Sequence, residues 1–195
     1  MTGSLFEQAI AAIDAANADD PHTIEVRGRM RPKELAHAEL MTEWIARLDP
    51  TADEAQRLAA RAHHLRRWSM PRSSYPDGRA GYLRWRTALR KQHAQEVAGL
   101  LTEVGYDDAT IARVQTIIRK QGLGTDPQVQ THEDALCLVF LETQLAATVD
   151  DLGDDKMLDV IAKTAAKMSQ AGLEQVGTLS MRDEDRALVA RALAG

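Results

Sequence analysis

The chain has one cysteine and no long apolar run. Among its 195 residues the only thiol is Cys137, so an internal disulfide is impossible, and its place in the run LCLVFL predicts a buried small hydrophobe. No apolar stretch approaches the roughly 18 residues of a membrane-spanning helix. The first residues, MTGSLFEQAI, also lack the basic start and apolar stretch of a secretory signal. These absences predict a cytoplasmic protein with no membrane segment.

Sequence motifs of several common enzyme classes are missing as well. There is no GxxxxGK[ST] phosphate loop, no GxGxxG dinucleotide fingerprint, no GxSxG nucleophile elbow and no CxxC pair. The familiar kinase, dehydrogenase and α/β-hydrolase classes therefore have no support. β-branched runs with strict alternation are almost absent too, which leaves helices as the main element.

Helical periodicity covers most of the chain and predicts an all-α fold, a single compact domain of about eight helices over residues 1–195. Capping residues and helix breakers set the predicted boundaries. The predicted helices run from Ser4 to Ala16, from Pro32 to Leu48, from the capping-box pattern at 51–54 to about Arg67, from Ala80 to Val104, from Asp107 to Gln121, from Pro127 to Val149, from Asp155 to Gln170 and from Asp183 to Ala194. A loop rich in proline, serine and glycine occupies residues 69–79.

The net charge of −5 conceals one strongly basic segment. Between Arg61 and Lys91 there are nine bases and one acid, which gives this segment +8 and leaves −13 for the remainder. A protein with so acidic a remainder is not expected to bind nucleic acid in general. Clustered guanidinium groups do suit a local phosphate or carboxylate ligand.

Arginines and aromatic residues alternate through the segment HHLRRWSMPRSSYPDGRAGYLRWR. Forked donors beside flat rings suit a phosphorylated small molecule such as a nucleotide. In the alternative interpretation the arginines pair with the acidic remainder while the tryptophans pack the core. The candidate substrate-binding residues are Arg66, Arg67, Arg72, Tyr75, Arg79 and Arg86.

Four predicted helices place histidines or acids on or beside an apolar face. These residues are His37 in the second helix, His63 or His64 in the third, His93 in the fourth, and Glu133 and Asp134 in the sixth. A buried imidazole or carboxylate without a partner is costly. Two arrangements would satisfy these groups. Each residue has its own hydrogen-bond partner, which is the usual case for a single inward-facing histidine, or several of them bind one divalent metal. Imidazole and carboxylate ligands together suit zinc, iron, manganese or nickel.

The order of these residues resembles that of the HD superfamily of metal-dependent phosphohydrolases. The shared order is a first histidine, the AARAHH segment, a later helix with a histidine, and a final acid. More narrowly, the stretch from AHHLRRWSMPRSSYP through GYLRWR to HEDALCLVFLE is similar to an uncharacterised family known only as a domain of unknown function, over about residues 5–145. The helices predicted within residues 155–194 follow that core.

The wider resemblance implies an all-α enzyme that activates a water against a phosphate ester. In such an enzyme a divalent metal would be held by His37, by His63 or His64, and by Asp134. Glu133 or His93 would transfer protons, and the loop arginines would bind the phosphates. His64 stands where the superfamily signature has an aspartate. Two alternatives stay open: a non-catalytic protein that binds a ligand or partner and has lost the metal, and an HD-like metal oxygenase.

Overall fold

The computed structural model describes residues 3–194, apart from the side chains of residues 151, 152 and 154. Its helices are α1 (Leu5–Ala18), α2 (Lys33–Leu48), α3 (Glu54–Arg61), α4 (Gly78–Val104), α5 (Asp108–Ile118), α6 (Pro127–Thr143), α7 (Leu145–Leu152), α8 (Asp154–Ala165), α9 (Gln170–Gln175) and α10 (Asp183–Ala194). The strands β1 (Thr23–Val26) and β2 (Arg29–Pro32) form one antiparallel hairpin. The all-α fold predicted from periodicity is confirmed.

Local capping chemistry fixes where several helices begin. The Ser4 hydroxyl accepts a hydrogen bond from the backbone of Glu7, and the Glu7 carboxylate accepts one from the backbone of Ser4, which completes a capping box at α1. The carboxylates of Asp53, Asp107 and Asp126 cap α3, α5 and α6 in the same way. These caps satisfy backbone donors that a helix leaves free at its start.

The helices pack around two apolar cores. The first core joins α1, α3, α5 and the second half of α4, with Ile13 and Leu101 fully buried in it. The second joins α2, α6, α8 and α10, with Met41 and Leu138 fully buried. Two helices of the first core, α3 and α5, pack directly on α6 of the second. Polar side chains of α2, α4 and α6 are buried between these two groups of helices.

Several element boundaries differ from those predicted by the sequence. The third helix ends at Arg61 and not near Arg67. After Ala62 the backbone continues in tighter turns, in which the N–H groups of His63 and Leu65 donate to carbonyls three residues earlier. Arg66 then has a left-handed backbone with φ of 49°, which excludes a return to the α-helix at that point. The sixth predicted helix is divided at Gln144 into α6 and α7. The hairpin was not predicted, since its strands are only four residues long and turn at Arg27 and Gly28, which both have positive φ.

The longest helix, α4, has 27 residues and carries much of the basic segment. Its first half is mostly exposed, apart from Gly81, Trp85 and Leu89, and its second half packs into the first core. Neither α4 nor any other helix in the described part of the chain is apolar enough over a sufficient length to cross a membrane.

Candidate metal site and adjoining cavities

Five of the six histidines lie in one cluster between the two cores. They come from α2, from the turn after α3, from α4 and from α6. The distances between ring centroids are 4.7 Å for His37 and His64, 4.3 Å for His63 and His64, 4.7 Å for His63 and His132, and 5.7 Å for His64 and His93. The inward-facing histidines predicted from periodicity therefore meet, together with His132.

Glu34, His37 and His64 form a group that could hold a metal ion. Each offers one ligand atom, and these atoms all lie within 4.8 Å of one another. Glu34 and His37 share a face of α2 because they are three residues apart, and His64 Nδ1 lies 3.1 Å from Glu34 Oε2. His37 Nδ1 is buried and has no hydrogen-bond partner in the described part of the chain. Two imidazoles and one carboxylate are a donor set that zinc, iron and manganese accept.

The surroundings of this group hold its side chains in place. Asp20 accepts a hydrogen bond of 3.0 Å from the backbone N–H of Glu34 at the start of α2, and Arg67 Nε lies 3.9 Å from the Glu34 carboxylate. On the other side, the Gln144 amide lies 3.2 Å from His37 Nε2. Burial raises the pKa of Glu34 to about 7 and lowers the pKa of His37 to about 3. A cation bound here would favour both the ionised carboxylate and the neutral imidazole.

A second part of the cluster lies behind His64. His63 Nδ1 and His132 Nε2 are 2.7 Å apart and share a hydrogen bond. His132 Nδ1 and His93 Nε2 are buried without a hydrogen-bond partner among the described residues. Burial lowers the pKa of His93 and of His132 to about 3. These imidazoles are therefore neutral at physiological pH.

A small cavity of about 40 Å³ adjoins the cluster and has a basic wall. Its polar lining consists of His63, His64, Arg67, Arg86, Arg90, His93 and Lys120. No carboxylate of the described residues lies within ion-pair distance of Arg86 or Arg90. The cavity can therefore take a small anion beside the candidate metal site.

A larger cavity of about 470 Å³ shares a wall with the small one. The residues common to both are His64, Arg67, Arg86 and Leu136. Tyr82, Trp85 and Phe140 give it an aromatic side. Near α8 its lining includes Lys167 and the ion pair of Lys163 with Asp159. Its volume is that of a typical small-molecule site, which is roughly 300–1,000 Å³.

Only two of the predicted substrate-binding residues line these cavities. Arg67 stacks over the Trp85 ring at 4.9 Å, and Arg86 lies 5.7 Å from the centre of the Tyr82 ring. Their flat guanidinium groups therefore face the cavities from an aromatic support.

The other four predicted substrate-binding residues lie outside the cavity walls. Arg72 folds back on its own loop, where it donates to the carbonyls of Tyr75 and Pro76 at 2.8 and 2.9 Å. The Tyr75 hydroxyl donates to the sulfur of Met70. Arg79 is exposed at the start of α4, and Arg66 is exposed with a nitrogen 4.0 Å from Glu96. Arg72 and Tyr75 therefore hold the loop together and do not face a ligand.

Asp134, predicted as a metal ligand, is not in the metal-binding group. Its carboxylate accepts hydrogen bonds from the Ser169 hydroxyl at 2.5 Å, from the Ser169 backbone at 2.8 Å and from the Gln130 amide at 3.0 Å. Successive residues on a helix diverge by about 100°, so Asp134 faces α9 while His132 faces His63. The expected contact between Asp134 and the histidine pair is replaced by a structural role at the start of α9.

Glu133 and His93, predicted to move protons, both lie beside the cavities. Glu133 forms an ion pair with Lys120 in which both side chains are buried, as expected for an acid on an apolar face. It also lines the larger cavity, and His93 lines the small one.

Three residues of the site were missed by the sequence analysis. Glu34 was within reach, since the segment ELAH places it on the same face as His37. His132 stands directly before Glu133 and Asp134, but only the packing of α6 against the turn after α3 brings it to His63. Lys120 follows the end of α5, where a lysine is usually exposed, but here its backbone is left-handed, with φ of 58°, and its side chain is buried against Glu133.

Comparison with known proteins identifies a family. A family model described as "Domain of unknown function (DUF4202)" matches residues 7–189. The match extends beyond the resemblance over residues 5–145 and includes the C-terminal helices. No curated protein and no solved structure matches the chain.

Proposed function

We propose that this chain, which belongs to the DUF4202 family of domains of unknown function, is a metal-dependent phosphohydrolase acting on a phosphorylated small molecule such as a nucleotide. One observation carries the proposal. His64, a member of the candidate metal group, also lines both cavities, where Arg67 and Arg86 supply positive charge. Hydrolysis of a phosphate ester needs an activated water next to groups that hold the phosphoryl charge.

The fit of a divalent ion rests on the donor atoms that are present. Glu34, His37 and His64 would hold it, and the buried Nδ1 of His37 has no other partner among the residues that the structure describes. When bound, such an ion supplies Lewis acidity and lowers the pKa of water. The resemblance to HD phosphohydrolases supports this assignment, with Glu34 supplying a carboxylate where His64 replaces the aspartate of the signature.

The remaining steps use side chains of the cavity wall. The forked donors of Arg67 and Arg86 hold the phosphoryl oxygens. The oxygen of water then forms a bond to phosphorus while the P–O ester bond breaks, which yields an alcohol and phosphate. His93 Nε2, buried and unpartnered on the small cavity, accepts the proton that water loses. That proton then passes to the leaving oxygen, so no net charge remains on the protein.

Metal binding is the first test of this proposal. Isothermal titration of purified protein with Mn²⁺, Zn²⁺ and anaerobic Fe²⁺ should detect binding by at least one ion, and Glu34→Gln and His64→Gln should each remove it. Glu43→Gln is the matched control, since Glu43 is on the same helix and pairs with Arg27 at the surface. A bound ion at 100 times its Kd stabilises a fold by about 2.7 kcal/mol, so the melting temperature should also rise.

Release of inorganic phosphate is the second test. The metal-loaded protein should hydrolyse at least one member of a panel of phosphomonoesters and nucleotides, and His93→Gln should slow release while metal affinity stays unchanged. Metal binding without phosphate release from any compound would overturn the phosphohydrolase assignment and favour a non-catalytic binding protein.

One observation favours a second candidate function, a metal oxygenase. Two histidines and one carboxylate are the ligand set of many non-haem Fe(II) oxygenases, and the group Glu34, His37 and His64 has that composition. Consumption of O₂ by the Fe(II)-loaded protein, without phosphate release, would favour this alternative. Arg67 and Arg86, which line both cavities, are the reason to place hydrolysis first.

A further inference from the structure

The first turns of α4 carry a basic face that leads from the surface into the cavities. Residues of a helix turn by about 100° each, so Arg79, Arg86 and Arg90 point within about 40° of one another. Tyr82 lies beside them on the same side of the helix. Arg86 and Arg90 line the small cavity, and Tyr82 and Arg86 line the large one. We name these four residues the α4 basic face.

The loop that precedes α4 packs closely against the first turns of the helix. The Trp85 indole donates to the Met70 carbonyl at 2.9 Å. Gly81 lies so close to the loop that an added Cβ would be 1.8 Å from the Pro76 carbonyl oxygen, and Arg72 also donates to that carbonyl. The loop and the first turns of α4 therefore pack as one unit, which positions the backbone that carries the arginines.

Within the part of the chain that the structure describes, the arginines of the α4 basic face have no acidic partners of their own. Among the described residues, no ion pair includes Arg79, Arg86 or Arg90, although the remainder of the chain carries many acids. Clustered like charges without partners repel one another, and an anionic ligand relieves that repulsion.

The length of the face indicates a ligand with several phosphates. At 1.5 Å per residue, Arg79 and Arg90 are about 16 Å apart along the helix axis. A single phosphate at the cavity would contact Arg86 and Arg90 and leave Arg79 without a ligand. A strand of linked phosphates would reach all three, and the exposed Tyr82 ring between them can stack on a base.

We propose that the substrate is the phosphorylated end of a single-stranded oligonucleotide. Its terminal phosphate enters the small cavity, and the backbone behind it follows the α4 basic face. Hydrolysis there breaks the P–O bond between the terminal nucleoside and its phosphate and adds water across it. This substrate assignment rests on the proposed function, because it names the ligand of the same site. Because the rest of the chain is acidic, the protein contacts only the end of the oligonucleotide. This agrees with the charge distribution, which predicts no general binding of nucleic acid.

Fluorescence anisotropy with a short single-stranded oligonucleotide tests the assignment. The probe carries a phosphate at one end and a dye at the other, and the protein carries no added metal. Arg79→Ala should weaken binding roughly fivefold to tenfold and should flatten the salt dependence, because one phosphate contact is lost. Arg191→Ala is the matched control. It removes an exposed arginine of α10, changes the net charge by the same amount and should leave binding unchanged.

Further binding measurements distinguish an oligonucleotide from other ligands that carry phosphate. Removing the terminal phosphate from the probe should weaken binding, and a mononucleotide should compete poorly. Tyr82→Ala should weaken oligonucleotide binding but not binding of inorganic polyphosphate. If polyphosphate competes as well as the oligonucleotide and Tyr82→Ala changes neither, the nucleic-acid assignment is wrong.

The same measurements distinguish failure of this inference from failure of the proposed function. Phosphate release from small esters, with oligonucleotide binding that is absent or unaffected by Arg79→Ala, would overturn the substrate assignment alone. Oligonucleotide binding that depends on Arg79, without phosphate release from any compound, would support the α4 basic face and overturn the hydrolase.

Discussion

Lys120 combines a strained backbone with a buried charge. Its left-handed conformation, with φ of 58°, costs a residue with a Cβ about 1–2 kcal/mol. The side chain is 8% exposed and pairs with Glu133, which is 4% exposed. Burial lowers the pKa of Lys120, and the charge of Glu133 acts in the opposite direction. Neither side chain can lose its partner without leaving a buried charge uncompensated.

The Lys120→Met substitution should therefore reduce the free energy of unfolding by about 3–5 kcal/mol. Adding Glu133→Gln should recover most of that loss, because it removes the unpaired carboxylate. Urea titrations of both single variants and the double variant measure the coupling. Lys163→Met is the control, since its pair with Asp159 is exposed and contributes little. An equal loss in the double variant would assign the effect to packing instead of charge.

Asp134 tests the difference between sequence and structure directly. The sequence made it a metal ligand, whereas the structure makes it the acceptor for Ser169 at the start of α9. We expect Asp134→Ala to lower the free energy of unfolding by about 1.5–3 kcal/mol, the range for hydrogen bonds to a charged group. Metal affinity measured by calorimetry should stay at the wild-type value. Loss of metal binding in Asp134→Ala with retained stability would restore the sequence-based ligand set.

At the scale of elements, α4 depends on two glycines in opposite ways. Gly81 faces the Pro76 carbonyl, with no room for a Cβ, while Gly99 has nothing within 4 Å of that position. Gly81→Ala should therefore separate the loop from α4, lower the melting temperature and weaken oligonucleotide binding. Gly99→Ala should stabilise the helix by about 0.5–1 kcal/mol. Thermal unfolding and anisotropy measure both, and similar behaviour of the two variants would contradict the close loop contact.

Helix positions could be predicted because their signals are local. The capping box at Ser4, the breaker at Gly105 and the acidic starts at Asp107 and Asp183 all lie within a few residues of the boundaries they mark. The turn after α3 could not be predicted, since the left-handed backbone of Arg66 depends on tertiary contacts, including a hydrogen bond from its N–H to the Asn17 side chain. Periodicity is also silent on which helices become neighbours.

The sequence could predict which side chains of a single helix point inward, but not which residues of other helices they meet. Periodicity turned His37 and His93 inward, and both are buried. It could not choose among His132, Glu133 and Asp134, because three adjacent residues of α6 point to three different partners, His63, Lys120 and Ser169. That choice is made by the surrounding helices, so the ligand set needed the tertiary structure.

At the scale of the whole molecule, opposite charges are separated in sequence and neutral histidines are collected in the interior. The basic segment from Arg61 to Lys91 supplies the arginines of the cavity walls, whereas the remainder of the chain carries a net charge of −13. The histidine cluster occupies the space between the two cores, where imidazoles must stay uncharged. The stability of the molecule should therefore depend strongly on pH.

The direction of that dependence follows from the pKa values. His37, His93 and His132 have a pKa of about 3 in the fold against 6.5 in the unfolded chain. Below pH 6.5 the unfolded chain binds more protons, so these histidines contribute stability above pH 6.5 that is lost progressively as the pH falls toward 3. Glu34 acts in the opposite sense. Its raised pKa of about 7 gives stability that is complete below pH 4.5 and is lost as the pH rises through 7.

The histidines outnumber Glu34, so the metal-free protein should lose stability steeply on acidification from pH 6.5. Each buried neutral imidazole contributes up to about 1.4 kcal/mol per pH unit. Urea titrations in the presence of EDTA, repeated between pH 7 and pH 5, measure how steeply the free energy of unfolding falls with pH. In His132→Gln this slope should be smaller than in the wild type by the equivalent of about one bound proton.

Cys137→Ala is the control, because this variant also changes a buried side chain of α6. Burial raises the pKa of the Cys137 thiol, which therefore does not titrate between pH 7 and pH 5. The variant should lower stability equally at each pH. Equal slopes in wild type and His132→Gln would mean that His132 already carries a proton in the folded protein, which would contradict a neutral histidine cluster.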